Sequence, residues 1–274
     1  MGEFFSIMGA AIVACLVLVG IYVYFGVHIV RRGVIFVDLA LAQVAAMGAT
    51  VAFLAGYTLD GFVAYLFSLA FALVGSVVFT WTRAREERVP QEAIIGIVYA
   101  FCAAAVVLLV DRAPHGAEHI KSLLVGNILW VKWQTIGQIL AVAVGVGLLH
   151  FFCHDKFTLV TFDPELARSR GLSVPLWDFL FYLSLAWVVT SSVQVAGVLL
   201  VFSFLIVPAV CGLLFGTTVR MSLWVGWLVG TAASVGGSIV SYQWDLPTGA
   251  TIICTFGIVL LGLAGLRSAA RRVC

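Results

Sequence analysis

The sequence predicts an all-α integral membrane protein, a polytopic bundle of about nine transmembrane helices, alternatively eight, with one short polar helix outside the apolar layer. Three observations lead there. Hydrophobic residues make up 63% of the 274 residues and charged residues only 10%, with a mean hydropathy of +1.14. That leaves too little polar surface to cover a water-soluble globule. Apolar runs of the roughly 17 to 25 residues that cross a bilayer recur along the whole chain, and the few charges collect between those runs, unevenly.

The runs fall at residues 4–30, 34–56, 62–81, 93–110, 136–153, 176–192, 195–215, 223–241 and 248–266. The first has Glu3 ahead of it rather than an early Lys or Arg, and Arg31-Arg32 closes it. It therefore reads as a retained span rather than a cleaved leader. The crossings at 93–110 and 136–153 are the least secure, because residues 120–131 between them are apolar enough for a re-entrant segment. The sixth and seventh adjoin with almost no loop. Either point would reduce nine spans to eight.

Charge placement gives an orientation. With the N-terminus outside, twelve of the fifteen basic residues fall in the cytoplasm, among them Arg31, Arg32, Arg83, Lys156, Arg168, Arg170 and Arg267, against only Arg112, Lys121 and Lys132 on the other side. That is the bias membrane insertion favours, and it makes the C-terminus cytoplasmic. The same orientation puts a polar island, residues 163–171, in the cytoplasm. It reads as a helix with both ends marked: Asp163 can N-cap, Pro164 suits the first helical position, and Glu165 complements the positive end of the dipole. Arg168 and Arg170 sit at the opposite end, and Gly171 can take the left-handed conformation that stops the helix.

Residues 1–274 read as a single transmembrane domain. The net charge of +2 argues for no nucleic-acid partner. The chain has neither Gly-x-x-x-x-Gly-Lys-Ser/Thr nor Gly-x-Gly-x-x-Gly, so any ATP is bound by another polypeptide. The six cysteines are scattered without a Cys-x-x-Cys pair and read as small core residues.

Several stretches, spread over nearly the whole chain, resemble the permease subunit of the zinc/manganese uptake family of bacterial ATP-binding-cassette importers. They are Phe36-Val37-Asp38-Leu39-Ala40-Leu41-Ala42-Gln43 through Gly48, Gln91-Glu92-Ala93-Ile94-Ile95-Gly96-Ile97, and Gly126-Asn127-Ile128-Leu129. Gly197-Val198-Leu199-Leu200-Val201 through Pro208-Ala209 and Pro247-Thr248-Gly249 add two more, and the 163–171 island is similar to the family's cytoplasmic coupling helix. The resemblance implies a multi-pass protein of the bacterial cytoplasmic (inner) membrane that does no covalent chemistry and binds no cofactor of its own. Its cargo would be a divalent transition metal, carried by alternating access. Its partners would be cytoplasmic ABC ATPase subunits, an extracytoplasmic metal-binding protein and a second copy of itself. Asp163, Pro164, Glu165, Ala167, Arg168 and Gly171 would form the ATPase-coupling helix.

The family's second helix carries Asp-x-x-x-His. Aligned on Gly48, this chain has Gln43 at the histidine position and Leu39 at the aspartate position; aligned on Asp38, it has Ala42 in place of the histidine. Asp38 and Gln43 are five residues apart, about 140° around a helix. A charge at the bilayer centre costs roughly 2.5 to 3.5 kcal/mol. Asp38 therefore either faces the bundle or a water-filled path, or pairs near the interface with Arg31 or Arg32. His115, Glu118 and His119, on the outer side, are further metal-pathway candidates. Their His-x-x-Glu-His order also matches an inverted zinc-protease motif, one alternative reading. A secondary transporter using Asp38 is the other.

His28, His150 and His154 lie near span ends and read as interfacial anchors. Glu92 reads as a cap for its own helix beginning at Ala93, or as a transport residue. Ser191, Ser192 and Gln194 either line an outer pathway or end a helix. Gly226, Gly230, Ser234 and Ser238 give the eighth span a small-residue face, for packing inside the subunit or for dimerisation. Pro208 leaves a carbonyl unpaired in the seventh span, a candidate helix kink.

Overall fold

The computed structural model describes residues 2–58, 61–83, 89–111 and 126–273. The described residues form α1 (Gly2–Arg32), α2 (Val37–Leu54), α3 (Phe62–Arg83), α4 (Gln91–Val110), a 3-10 turn (Ile128–Trp130) and α5 (Trp133–Phe152). Two short helices follow, α6 (His154–Phe162) and α7 (Pro164–Ser169). The chain then continues through α8 (Val174–Ala196), α9 (Val198–Phe215), α10 (Val219–Trp244) and α11 (Thr248–Val273). Among the described residues, nine helices are long and apolar enough to cross a membrane. α8 and α9 stay distinct spans because Gly197 between them adopts φ 76° and ψ 159°, a conformation open to glycine and not to residues with a Cβ.

The chain divides into two compact units. The first comprises Met1–Val30, Val125–Leu140 and Val195–Cys274. Here α9, α10 and α11 pack on one another through small residues. A Cβ on Gly226 would press on Val23 and the Pro208 carbonyl, and one on Gly237 would meet Ile252. The small-residue face of α10 is thus spent inside the subunit, as close backbone approach in lipid requires. Gly126, at φ 65°, lies so near the Ala196–Gly197 peptide that a Cβ would overlap it. The Asn127 N–H donates to the Val195 carbonyl at 2.9 Å.

The second unit comprises Arg31–Leu124 and Ala141–Gln194. Its centre is α2, which packs on α3 and α4. Of the α2 span 72% is buried, against 22% for α4 and for α5, whose outward faces are apolar. Gly48 makes the close contact possible, since a Cβ there would strike the Phe67 backbone.

Two histidine expectations change, and the one for Glu92 is extended. His28 is buried against Tyr24, and His150 is buried, stacked on Phe157 at 4.0 Å and hydrogen-bonded to Ser184 at 2.8 Å. Neither is an interfacial anchor. α4 begins at Gln91 with Glu92 in its first turn, as the dipole favours, and the same carboxylate also serves the start of α2: the Phe36 N–H donates to Glu92 Oε1 at 3.0 Å.

Candidate translocation and coupling site

Between α5 and α8 the chain makes a detour of two short helices, α6 and α7. In α7 the local chemistry matches the sequence closely. The Leu166 N–H donates to Asp163 Oδ1 at 2.9 Å, and Pro164 occupies the first turn, where it costs no hydrogen bond. At the other end Gly171 takes φ 77°. The Leu172 N–H donates to the Ala167 carbonyl and the Gly171 N–H to the Arg168 carbonyl, both at 3.0 Å. This pair of bonds is a Schellman motif, which satisfies the carbonyls a helix end leaves open. Ala167 is the buried anchor, clustered with Val160 of α6 and Val174 of α8, with Leu159, Leu172 and Trp177 packed around them. Asp163, Glu165, Arg168 and Arg170 remain exposed.

Sequence reasoning did not identify α6. Its signal is weak, a nine-residue helix with Phe157 and Val160 on its buried face. It makes the polar island the second arm of a helical pair seated on α8.

Beside α7 lies a cavity of about 770 Å³, lined by Thr80, Arg83, Asp163, Glu165, Arg168 and Asp178 among others. Asp178 is its deepest charge. Arg32 Nη1 and Arg83 Nη1 both donate to Asp178 Oδ1, at 2.8 and 2.6 Å. Arg32 Nε donates to Thr161 Oγ1 at 3.0 Å, and its guanidinium lies 3.9 Å over the Phe181 ring. Three span ends and the last turn of α6 therefore converge on one buried ionic group. The signal for it was an acid at the third residue of the apolar run 176–192, which needs a partner inside a bundle.

This group overturns one expectation for Asp38. Arg32 is committed to Asp178, and Arg31 lies 5.7 Å from the Phe162 ring. Asp38 is fully buried in α2, and neither carboxylate oxygen has a hydrogen-bond partner among the described residues. Gln43 is buried on the same helix, on a different face. Pro208 is buried within α9, its carbonyl against the Gly226 position of α10. Among the described residues no three His, Cys, Asp or Glu side chains gather as metal ligands. His115, Glu118 and His119 lie outside the described residues. Ser191 and Ser192 return their hydroxyls to their own helix, donating to the Trp187 and Val188 carbonyls. Ser191 also meets Tyr65 Oη at 3.0 Å.

The fold is that of a multi-pass membrane permease. The chain belongs to the ABC 3 transport family, whose model matches residues 4–265. Over 96% of both chains it is 29% identical to a protein of Haemophilus influenzae described as a probable iron transport system membrane protein. It is 25% identical to the manganese import system permease protein ScaB of Streptococcus gordonii, over 86% of this chain and 82% of that one. Among solved structures it is similar in fold to PsaBC from Streptococcus pneumoniae in complex with Fab. The TM-score is 0.80 at 21% identity, over 96% of this chain and 94% of that one. An inward-facing conformation of a putative metal-chelate type ABC transporter matches with TM-score 0.71 at 17% identity, over 95% and 85%. Membership of a transport family favours neither the protease nor the secondary-transporter reading.

Proposed function

We propose that this chain is the membrane path of an importer for a divalent transition metal, manganese or iron before zinc, in a bacterial cytoplasmic membrane. Its energy comes from ATP hydrolysed by a separate subunit. The observation that carries the reading is α7, a helix of six residues fixed at both ends and anchored by Ala167, with its charges turned outward beside a polar cavity. Helices this short do not hold together alone, so caps and an anchor at this point favour a docking element. The twelve-to-three distribution of basic residues supports a cytoplasmic α7 and C-terminus and an outer N-terminus. The names of the manganese and iron relatives support the cargo.

In this reading Asp163, Pro164 and Gly171 hold α7 in shape, Ala167 seats it on α6 and α8, and Glu165 and Arg168 meet the ATPase. ATP binding moves the arm, and the two access states exchange. Asp38, with Gln43 on the same helix, lies on the metal path; a buried carboxylate with no hydrogen-bond partner among the described residues is suited to receive a passing cation. His115, Glu118 and His119 would meet the metal at the outer mouth, where an extracytoplasmic binding protein delivers it. A second copy of the chain completes the path, and Pro208 marks a helix able to bend. The metal is cargo, and the chain holds no cofactor of its own.

The test is competitive uptake of radiolabelled manganese, iron and zinc by vesicles containing the permease and its ATPase. ATP-dependent accumulation of manganese or iron, with zinc weaker, is expected. Accumulation of none of the three would refute the cargo.

A further inference from the structure

A continuous series of contacts, buried at Gln91 and exposed at its Glu92 end, runs from the α6–α7 arm to the first turn of α2, all within the second unit. Thr161, two residues before the α7 cap, accepts from Arg32 Nε at 3.0 Å. The Arg32 guanidinium covers the Phe181 ring and lies 5.9 Å from the Tyr182 ring. Tyr182 Oη accepts from Gln91 Nε2 at 3.2 Å, and the same amide nitrogen donates to the Phe79 carbonyl at 3.0 Å. The next residue, Glu92, accepts from the Phe36 N–H at 3.0 Å. Asp38 follows two residues later.

We propose that Gln91 and Glu92 are positioning residues that tie the start of α2, and with it Asp38, to the buried arginine group on which the coupling arm sits. The inference rests on the docking role of α7 proposed above. The residue types suit the task. A glutamine amide has two N–H donors on one nitrogen, so it can join a helix-end carbonyl to a phenol. A carboxylate satisfies one of the open N–H groups at the start of α2, where the dipole favours negative charge. The Arg32 side chain and Tyr182 are fully buried and Gln91 is 4% exposed, so water does not compete for the Gln91 bonds; the Glu92–Phe36 bond at the end of the series is exposed. A shift of the arm that moves Arg32 then reaches α2 through Tyr182, Gln91 and Glu92, whereas a loosened Glu92 leaves α2 where it was. Spatial continuity alone is not coupling, and the experiment must measure the energetic link.

The permease and its ATPase are reconstituted in vesicles, and ATP hydrolysis, radiolabelled manganese uptake and melting temperature are read for each variant. Glu92→Gln keeps an acceptor oxygen and is expected to match the unaltered protein. Glu92→Ala and Gln91→Leu are expected to hydrolyse ATP normally but to lose uptake per ATP by about threefold or more. The double variant is expected to fall no further than the poorer single one, as for residues in one network. Undiminished uptake per ATP in Glu92→Ala overturns the proposal. So do losses that multiply in the double variant, or losses of uptake and hydrolysis in step with a lower melting temperature. Unaltered protein that shows no ATP-driven uptake fails the docking reading itself, and the positioning role falls with it.

Discussion

Arg32 and Asp178 meet at 2.8 Å with side chains 0% and 3% exposed, and Arg83 reaches the same carboxylate oxygen from a position 16% exposed. One carboxylate thus holds two guanidiniums, that of Arg32 shut off from water and that of Arg83 partly open to the cavity beside α7.

Replacing that carboxylate should be costly. Asp178→Asn leaves two cationic groups without a counter-charge and is expected to destabilise the protein by about 3–5 kcal/mol. Arg83→Gln leaves the Arg32 pair intact and should cost about 1 kcal/mol. Unfolding in detergent, followed by a spectroscopic probe, checks the order; equal losses would show that burial does not set the strength of the two pairs.

The caps of α7 should act locally. Asp163→Ala is expected to cost about 1 kcal/mol, and Asp163→Ser much less, because serine also accepts from an N–H two or three residues on. Hydrogen exchange of the 163–171 amides should rise in the alanine variant, with the long spans unchanged.

Glycines at two sites should fail for different reasons. Gly171 has open space around it and φ 77°, so Gly171→Val is expected to cost about 1–2 kcal/mol and Gly171→Asn to be tolerated. Gly48 is helical, but its Cβ position lies 2.6 Å from the Phe67 carbonyl oxygen. Gly48→Ala is therefore expected to cost about 1–3 kcal/mol through overpacking. Thermal melting of the three variants distinguishes strain from crowding.

Asp38→Asn should separate transport from stability. A buried carboxylate with no partner among the described residues is a burden on the fold, so the variant is expected to melt at the same temperature or higher. Metal uptake should fall by about tenfold or more, the equivalent of ~1.4 kcal/mol. Preserved uptake would remove Asp38 from the path.

The spans were legible because the bilayer imposes long apolar runs, and α7 because its caps lie within a few residues of what they satisfy. Boundaries shifted where polar residues join helices: α1 extends to Arg32 and α4 starts at Gln91. The ionic group was not legible, since Asp178 finds its partners 146 and 95 residues away. Nor was the role of Glu92, whose carboxylate serves a helix that begins 55 residues earlier. No local pattern encodes such meetings, although an acid inside an apolar run signals that one must occur.

In the proposed function, metal crosses through this chain on energy delivered at α7. The most direct measurement is ATP-dependent accumulation of radiolabelled manganese or iron in vesicles carrying the permease and its ATPase, with α7 unaltered or reversed in charge by Glu165→Lys with Arg168→Glu. The unaltered protein should accumulate metal only with ATP, and the reversed arm should lose the bound ATPase and fall to the level without ATP. Accumulation by the reversed arm equal to that of the unaltered protein, with the ATPase still bound, would contradict the account.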